Sequence, residues 1–291
     1  MLSVVLATHN EADNLGRCLS SVTSIASEIV IIDGASTDAT LAIAKKFHAR
    51  VIHTTNKPMF HINKQLALDK ARGDWILQLD ADEEVSPKLA AEIKSILLMS
   101  ESKIRSRHLP AAKTALFKRH QQALAARDGT IGTPEADTVA FFIPRRNLFL
   151  GKPLLHGGVY PDGVIRLVKK NHAHFPCKSV HEQISIDGRV DWLEHDLLHH
   201  DSPTFQKYFA RANRYTSLTA TNLKTANLKP NIFNSIYYLI IKPKFTFLSI
   251  YFLHKGFLDG FPGFMWALFS GLHWPMAYLK YWQLVKNPST S

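Results

Sequence analysis

The sequence predicts an α/β fold over roughly its first two-thirds and a helical, apolar region beyond. Three observations support this. Short apolar runs alternate with helical patterns from Leu2 to Leu79. The turns after three of those runs are polar and acid-rich. From Lys229 onward, aromatic and aliphatic residues dominate, interrupted by lysines. Strands alternating with helices build a doubly wound, mostly parallel sheet with helices on both faces. The last third is expected to form a C-terminal helical membrane-interface segment.

The elements follow in order. Leu2 to Ala7 reads as a buried strand ending in Thr8-His9-Asn10-Glu11. A helix pattern over Ala12 to Val22 places Leu15, Leu19 and Val22 on one face. Glu28 to Ile32 is a second strand, ending in Asp33-Gly34-Ala35-Ser36-Thr37-Asp38. Leu41, Ala44 and Phe47 are spaced for burial on the next helix. Val51-Ile52 is a short strand, His61 to Arg72 a helix and Asp74 to Leu79 a fourth strand. Right-handed crossovers put all the strand C-termini along one edge. Ligands of open α/β sheets bind there.

The fourth strand ends in Asp80-Ala81-Asp82-Glu83-Glu84. Asp80 and Asp82, two apart at a strand end, can approach one divalent cation. Oxygen-rich donors suit Mg²⁺ or Mn²⁺ on a diphosphate. The plainer alternative is an acidic loop that starts a helix, since Ser86-Pro87 fits N-cap and first-turn positions. Glu83 and Glu84 are expected to be such helix-start carboxylates.

Composition sets the bounds. The 291 residues fit one large or two small domains, and 46% apolar residues supply a core. Cys18 and Cys177 are the only cysteines, which gives no disulfide framework and suits a reducing compartment. Met1 runs straight into a strand-like segment, so no signal peptide is expected. The net charge of +11 points to nucleic acid, an anionic membrane or phosphorylated substrates. No glycine follows the first strand until Gly16, which argues against a dinucleotide-type turn and against sugar nucleotidyltransferases.

Three stretches together carry a resemblance: Ser3 to Glu11, Ile31 to Asp38, and Gly73 to Glu83. In this order and spacing they resemble an inverting family 2 glycosyltransferase of GT-A fold. The resemblance implies that Thr8, Asn10, Glu11, Asp33, Gly34 and Ser36 hold the base and ribose of a nucleotide-sugar donor, a UDP-sugar first among them. Asp80 would face the ribose or sugar, and Asp82 would ligate Mg²⁺ or Mn²⁺ on the diphosphate. Lys64, on the preceding helix, is either a phosphate contact or an exposed helical lysine.

Residues 1–100 would then be the nucleotide-sugar-binding half and 101–137 a basic insertion, with seven Lys/Arg and no acid from Lys103 to Arg127. The insertion is expected to be a surface excursion, partly helical. It has one Phe and no Tyr or Trp to stack on bases, so nucleic acid is not expected as a partner. Residues 138–201 would be the acceptor half and 202–291 the membrane-associating region.

The acceptor half contains His156-Gly157-Gly158-Val159-Tyr160-Pro161-Asp162, the run Val164 to Lys170, and Val180-His181-Glu182. These resemble the lipopolysaccharide core glucosyltransferase branch of the family. Gly163 departs from it, standing where an aromatic residue is commoner. An inverting transfer needs a base for the acceptor hydroxyl. Glu182 is the first candidate and Asp162 the second, its alternative being a Pro-Asp-Gly turn. His199, and less so His181, are candidate further metal ligands, or else outer contacts of the site.

Ile232 to Ile241, Phe245 to Leu253 and Phe264 to Tyr278 read as short apolar helices separated by Lys242-Pro243-Lys244 and by Gly and Pro. Aromatics with lysines at the breaks suit helices lying in a membrane interface. The expectation is a peripheral or monotopic enzyme at the cytoplasmic face of the inner membrane, acting on a lipid-linked glycan. A polyprenyl phosphate acceptor and an inactive membrane scaffold are the alternatives.

Overall fold

The computed structural model describes residues 1–177 and 183–286. The chain divides into two compact units, one of residues 1–146 and 161–199, the other of residues 147–160 and 200 onward.

The first unit is built on a mixed sheet. Strands β1 (Leu2–Thr8), β2 (Glu28–Asp33), β3 (Arg50–His53) and β4 (Trp75–Leu79) form its parallel half in the order β3-β2-β1-β4. The short β5 (Glu83–Val85) follows at once. Strands β6 (Thr138–Phe149) and β7 (Lys152–Pro153) pair as a hairpin. Strand β8 (Asp162–Lys169) lies antiparallel between β4 and β6. Three short strands end the series: β9 (Ala173–His174), which pairs with β10 (Ser185–Ile186), and β11 (Arg189–Trp192), parallel to β6. Strand β12 (Leu197–Ser202) pairs antiparallel with β5, setting His199 opposite Glu83.

Side chains alternate along the strands and serve two cores. Leu2, Val4 and Leu6 of β1 join Ile29 and Ile31 of β2 on one face, with Leu15, Leu19 and Val22 of helix α1 (Ala12–Val22). Val5, Val30 and Ile32 join Ala67 and Leu68 of a helix over Phe60–Lys70 on the other. Period-two alternation between two apolar faces requires helices on both sides. Each fully buried Leu or Val contributes about 1.5–3 kcal/mol. Ser86 does cap the next helix, Pro87–Leu97, accepting from Leu89 N at 3.3 Å.

The basic insertion is more than an excursion. Its helix Ala111–Asp128 places Phe117 and Leu124 in the second core. Phe117 and Phe142 stack on Trp192, with ring centroids 4.3 Å and 4.7 Å away. A Cβ on Gly163 would lie 2.3 Å from that indole. Trp192 therefore fills the space where the related pattern has an aromatic residue after Asp162.

The second unit is helical. Helix Phe205–Thr225 starts at Thr204, whose Oγ1 accepts from Lys207 N at 3.2 Å. The expected break at Lys242-Pro243 is absent: one helix runs from Ile232 to Leu253, 22 residues, long and apolar enough to cross a membrane by length and composition. Two π-turns, Tyr237–Ile241 and Ser249–Leu253, flank Pro243. A widened turn accommodates the missing proline N–H and its ring, so the helix continues. A final helix spans Gly260–Lys286. A Cβ on Gly271 would meet the Pro243 carbonyl oxygen at 2.9 Å, and one on Gly263 the Gly256 oxygen at 2.0 Å. Small residues are what let this hairpin close.

Candidate active site

The first two strand ends are tied into one cradle. Asn10, at φ 55°, accepts from Thr37 N at 2.8 Å through its side chain and donates its own N–H to Ser36 Oγ at 2.9 Å. Glu11 N donates to Thr40 Oγ1 at 2.8 Å, and Ala12 N to Asp38 at 3.0 Å. Asp33 is fully buried. Its carboxylate accepts from Ser36 N (3.0 Å), Ser36 Oγ (2.6 Å) and Thr8 Oγ1 (3.3 Å). The sequence suggests Asp33 as a direct nucleotide contact; the structure spends it on holding the turn. Gly34 leaves little room for a side chain, since a Cβ there would approach Asn56 Cα to 3.2 Å and the Thr8 carbonyl to 3.3 Å.

At the third strand end the charges form a ladder of alternating sign. Asp162 Oδ2 accepts from Arg145 Nε at 2.9 Å and Nη2 at 2.5 Å. Arg145 Nη1 reaches Glu83 at 3.2 Å, and Arg166 Nη2 reaches Glu83 at 2.7 Å. Arg166 Nη2 also contacts Asp80 Oδ2 at 2.5 Å, and Lys64 Nζ contacts Asp80 Oδ1 at 2.5 Å. Arg166 donates further to Gln78 of β4. Six charges sum to zero, each within hydrogen-bond reach of an opposite one. A buried charge is tolerated only when paired in this way.

Two expectations are corrected here. Glu83 is no helix-start carboxylate: its side chain is 0% exposed, and it accepts from Asp80 N at 2.9 Å and from both arginines. Lys64 is no exposed helical lysine, being 11% exposed and locked to Asp80. Glu84 sits in β5, with Arg17 at 3.7 Å. The glycine-flanked Asp162 opens β8 and orients Arg145.

The ionisation states follow from these contacts. Burial alone would raise the Asp80 carboxyl, but Arg166 and Lys64 together outweigh it and hold it well below the usual carboxylate range. Burial pulls Lys64 down, with Asp80 opposing. For Asp82 too, burial pushes up and His199 pulls further down, a net lowering.

Asp82 stands outside the ladder. His199 Nε2 lies 3.3 Å from its Oδ2. Adjacent ligands of an octahedral ion at ~2.1 Å sit ~3 Å apart. The pair is spaced so that both side chains could serve as ligands of one cation. No group of three or more such ligands occurs among the described residues. Glu182 and His181 lie outside the described residues.

Sequence reasoning missed Arg145, Arg166 and the true place of Glu83. One signal was available: Arg166 sits among Val164, Ile165, Leu167 and Val168. An arginine inside a strand buried on both faces must have an acidic partner.

Known glycosyltransferases are similar to this chain in sequence. Residues 3–96 match the family described as Glycosyl transferase family 2. An uncharacterized glycosyltransferase of Rickettsia bellii is 26% identical over 99% of this chain and 89% of its own length. The lipopolysaccharide core biosynthesis glycosyltransferase LpsC of Rhizobium meliloti is 24% identical over 97% of this chain and 92% of its own. Among solved structures, a mannosyltransferase of Pyrobaculum calidifontis, in complex with GDP-Man and Mn²⁺, superposes with a TM-score of 0.45 at 13% identity, covering 98% and 75% of the two chains. The protein is a glycosyltransferase. Residues 3–96 resemble a family 2 domain, and the chain has the α/β fold expected from the sequence.

Proposed function

We propose that the protein transfers one sugar, with inversion, from a nucleotide-sugar donor to a lipid-linked glycan at a membrane surface. The observation that carries this is the separation of Asp82 from the ladder. Asp80, Glu83 and Asp162 are neutralised by protein cations, while Asp82, just past the end of β4, lies beside His199 outside that network. In this reading the Thr8–Glu11 and Asp33–Ser36 turns cradle the nucleoside, a uridine first among the options. Lys64 and Asp80 lie beside the diphosphate and sugar. Asp82 and His199 would hold Mg²⁺ or Mn²⁺, which offsets charge developing on the leaving diphosphate.

The acceptor hydroxyl attacks the anomeric carbon as the bond to the diphosphate breaks, and its proton passes to a carboxylate. Glu182 is assigned as that base, because Asp162 is occupied in orienting Arg145. The similarity to LpsC, a lipopolysaccharide core biosynthesis glycosyltransferase, supports lipopolysaccharide core as the acceptor. The apolar helix Ile232–Leu253 supports membrane association, with the α/β unit at the cytoplasmic face where nucleotide sugars are made. That 22-residue helix also favours a second reading, a polyprenyl phosphate acceptor.

The test is a donor panel of UDP-, ADP- and GDP-sugars with the purified full chain, with and without EDTA. Lipopolysaccharide core and polyprenyl phosphate form separate acceptor arms. Metal-dependent transfer in one arm is expected. Silence with every donor overturns the enzyme reading. Activity lost in Glu182→Gln but kept in Asp162→Asn identifies the base.

A further inference from the structure

The second unit contains a charged device that the transfer reaction leaves unused. Asp259 is buried, its side chain 5% exposed. It accepts from the backbone N–H groups of Leu155 (3.1 Å) and His156 (2.8 Å) on one oxygen. On the other it accepts from His156 Nδ1 at 2.7 Å. A carboxylate cannot donate, so the proton sits on Nδ1 and the imidazole is fixed with Nε2 directed away from Asp259. The His156 side chain is 37% exposed.

The chain then turns through Gly157 (φ 66°) and Gly158 (φ 75°). Only glycine adopts consecutive left-handed conformations at low cost. Gly157 N donates to the His254 carbonyl at 2.8 Å. The His254 ring flanks Gly158, its Cγ 3.7 Å from where a Cβ would stand. Lys255 follows, exposed and itself left-handed at φ 58°. The His254 ring thus lies against the glycine turn that follows His156, and Lys255 is exposed next to it on the loop joining the two apolar helices.

The charge around this turn is one-sided. Residues 147–160 and 200–291 carry eleven Lys/Arg against Asp201 and Asp259, a formal +9 of the chain's +11. Asp201 pairs with Arg211. Apolar side chains border the loop and are exposed: Phe252, Leu253, Phe257, Leu258 and Phe261. A basic, glycine-rich turn among exposed apolar side chains suits an anion carried on a lipid.

We propose that His156, His254 and Lys255, on the Gly157–Gly158 turn, form a site for the phosphomonoester headgroup of a membrane lipid. Asp259 is its positioning residue. The inference rests on the membrane reading above and adds a selective site to it.

The test is flotation of the full chain with phosphatidylcholine vesicles. Some carry phosphatidic acid, a phosphomonoester, and others carry phosphatidylglycerol, a phosphodiester, at matched surface charge. Binding to the phosphatidic acid vesicles is expected to be about fivefold to tenfold tighter. His156→Ala and Lys255→Ala are expected to erase that preference while phosphatidylglycerol binding persists, which also shows that the variants fold. Lys244→Ala, outside the turn, is expected to keep it. Inorganic phosphate added to the vesicles is expected to compete weakly. Equal binding to the two vesicle types, or a preference surviving in His156→Ala, overturns the site but leaves the membrane reading standing. Absence of binding to any vesicle overturns both. Loss of the preference at low millimolar inorganic phosphate overturns the lipid as the ligand's source.

Discussion

The two compact units handle charge in opposite ways. The α/β unit is nearly neutral, holding +2 of the chain's +11, and its charges near the strand ends are matched one to one. Asp162, Arg145, Glu83, Arg166, Asp80 and Lys64 alternate in sign across a site that shields them from water. The helical unit carries eleven Lys/Arg against two Asp and keeps many phenylalanines and leucines on the outside. A paired buried network gives a fixed geometry. An unbalanced basic surface gives attraction at a distance. The first suits a reacting centre and the second suits a docking face.

The comparison predicts different sensitivities. The largest effect should come from breaking the ladder. Arg166→Met removes the cation that Asp80 and Glu83 share, leaving each with one counter-charge, Lys64 and Arg145. A loss of about 3–5 kcal/mol is expected, read by hydrogen exchange in β4 and β8. Unchanged protection would show that the ladder is not a structural unit. Asp82→Asn should do the reverse. Stability should change by less than about 1 kcal/mol, while turnover falls about 10²-fold and extra Mn²⁺ fails to restore it.

On the helical unit, replacing Phe233 and Phe245 together with Ser should weaken vesicle binding by about tenfold or more, since each exposed phenylalanine is worth about 1.5–3 kcal/mol on burial. Donor hydrolysis in solution should be unaffected. Raising salt should separate the units further, weakening vesicle binding while leaving the melting temperature of the α/β unit nearly constant.

The smallest effect is on acid stability. The Asp80 and Asp82 carboxyls are held below their ordinary values in the fold. On acidification the unfolded chain takes up these protons first. The stabilisation is thus complete above the ordinary carboxylate range, near pH 4, and lost as pH falls through the lower folded values. A melting temperature that stayed level through this range would argue against the pairing.

Much of the α/β unit was legible because its signals are local. Leu2 to Ala7 is an unbroken apolar run, and α1 spans Ala12–Val22 as its spacing predicts. Asp80 and Asp82 stand out because they are two residues apart. Arg166 did not, because its partners Asp80 and Glu83 lie 86 and 83 positions away. Only the antiparallel placement of β8 against β4 brings them together. Glu83 was misread for the same reason: next to Glu84 it looks like a helix start, and its burial is decided by β12 crossing opposite it. Pro243 was read as a break because nothing in the sequence announces a π-turn. His156 belongs to a recognisable motif, but its partner Asp259 lies 103 positions away.

The chain passes between the units three times, after Arg146, after Tyr160 and after His199. Arg145 and Arg166 therefore lie on opposite sides of a fourteen-residue excursion that carries the Gly157–Gly158 turn. Neither unit is a contiguous cassette. Recombination at a single point cannot exchange the helical unit for another: a joint after His199 leaves residues 147–160 behind, and one after Arg146 also replaces Arg166 and His199. Exchange of the helical unit alone needs three joints, one at each crossing.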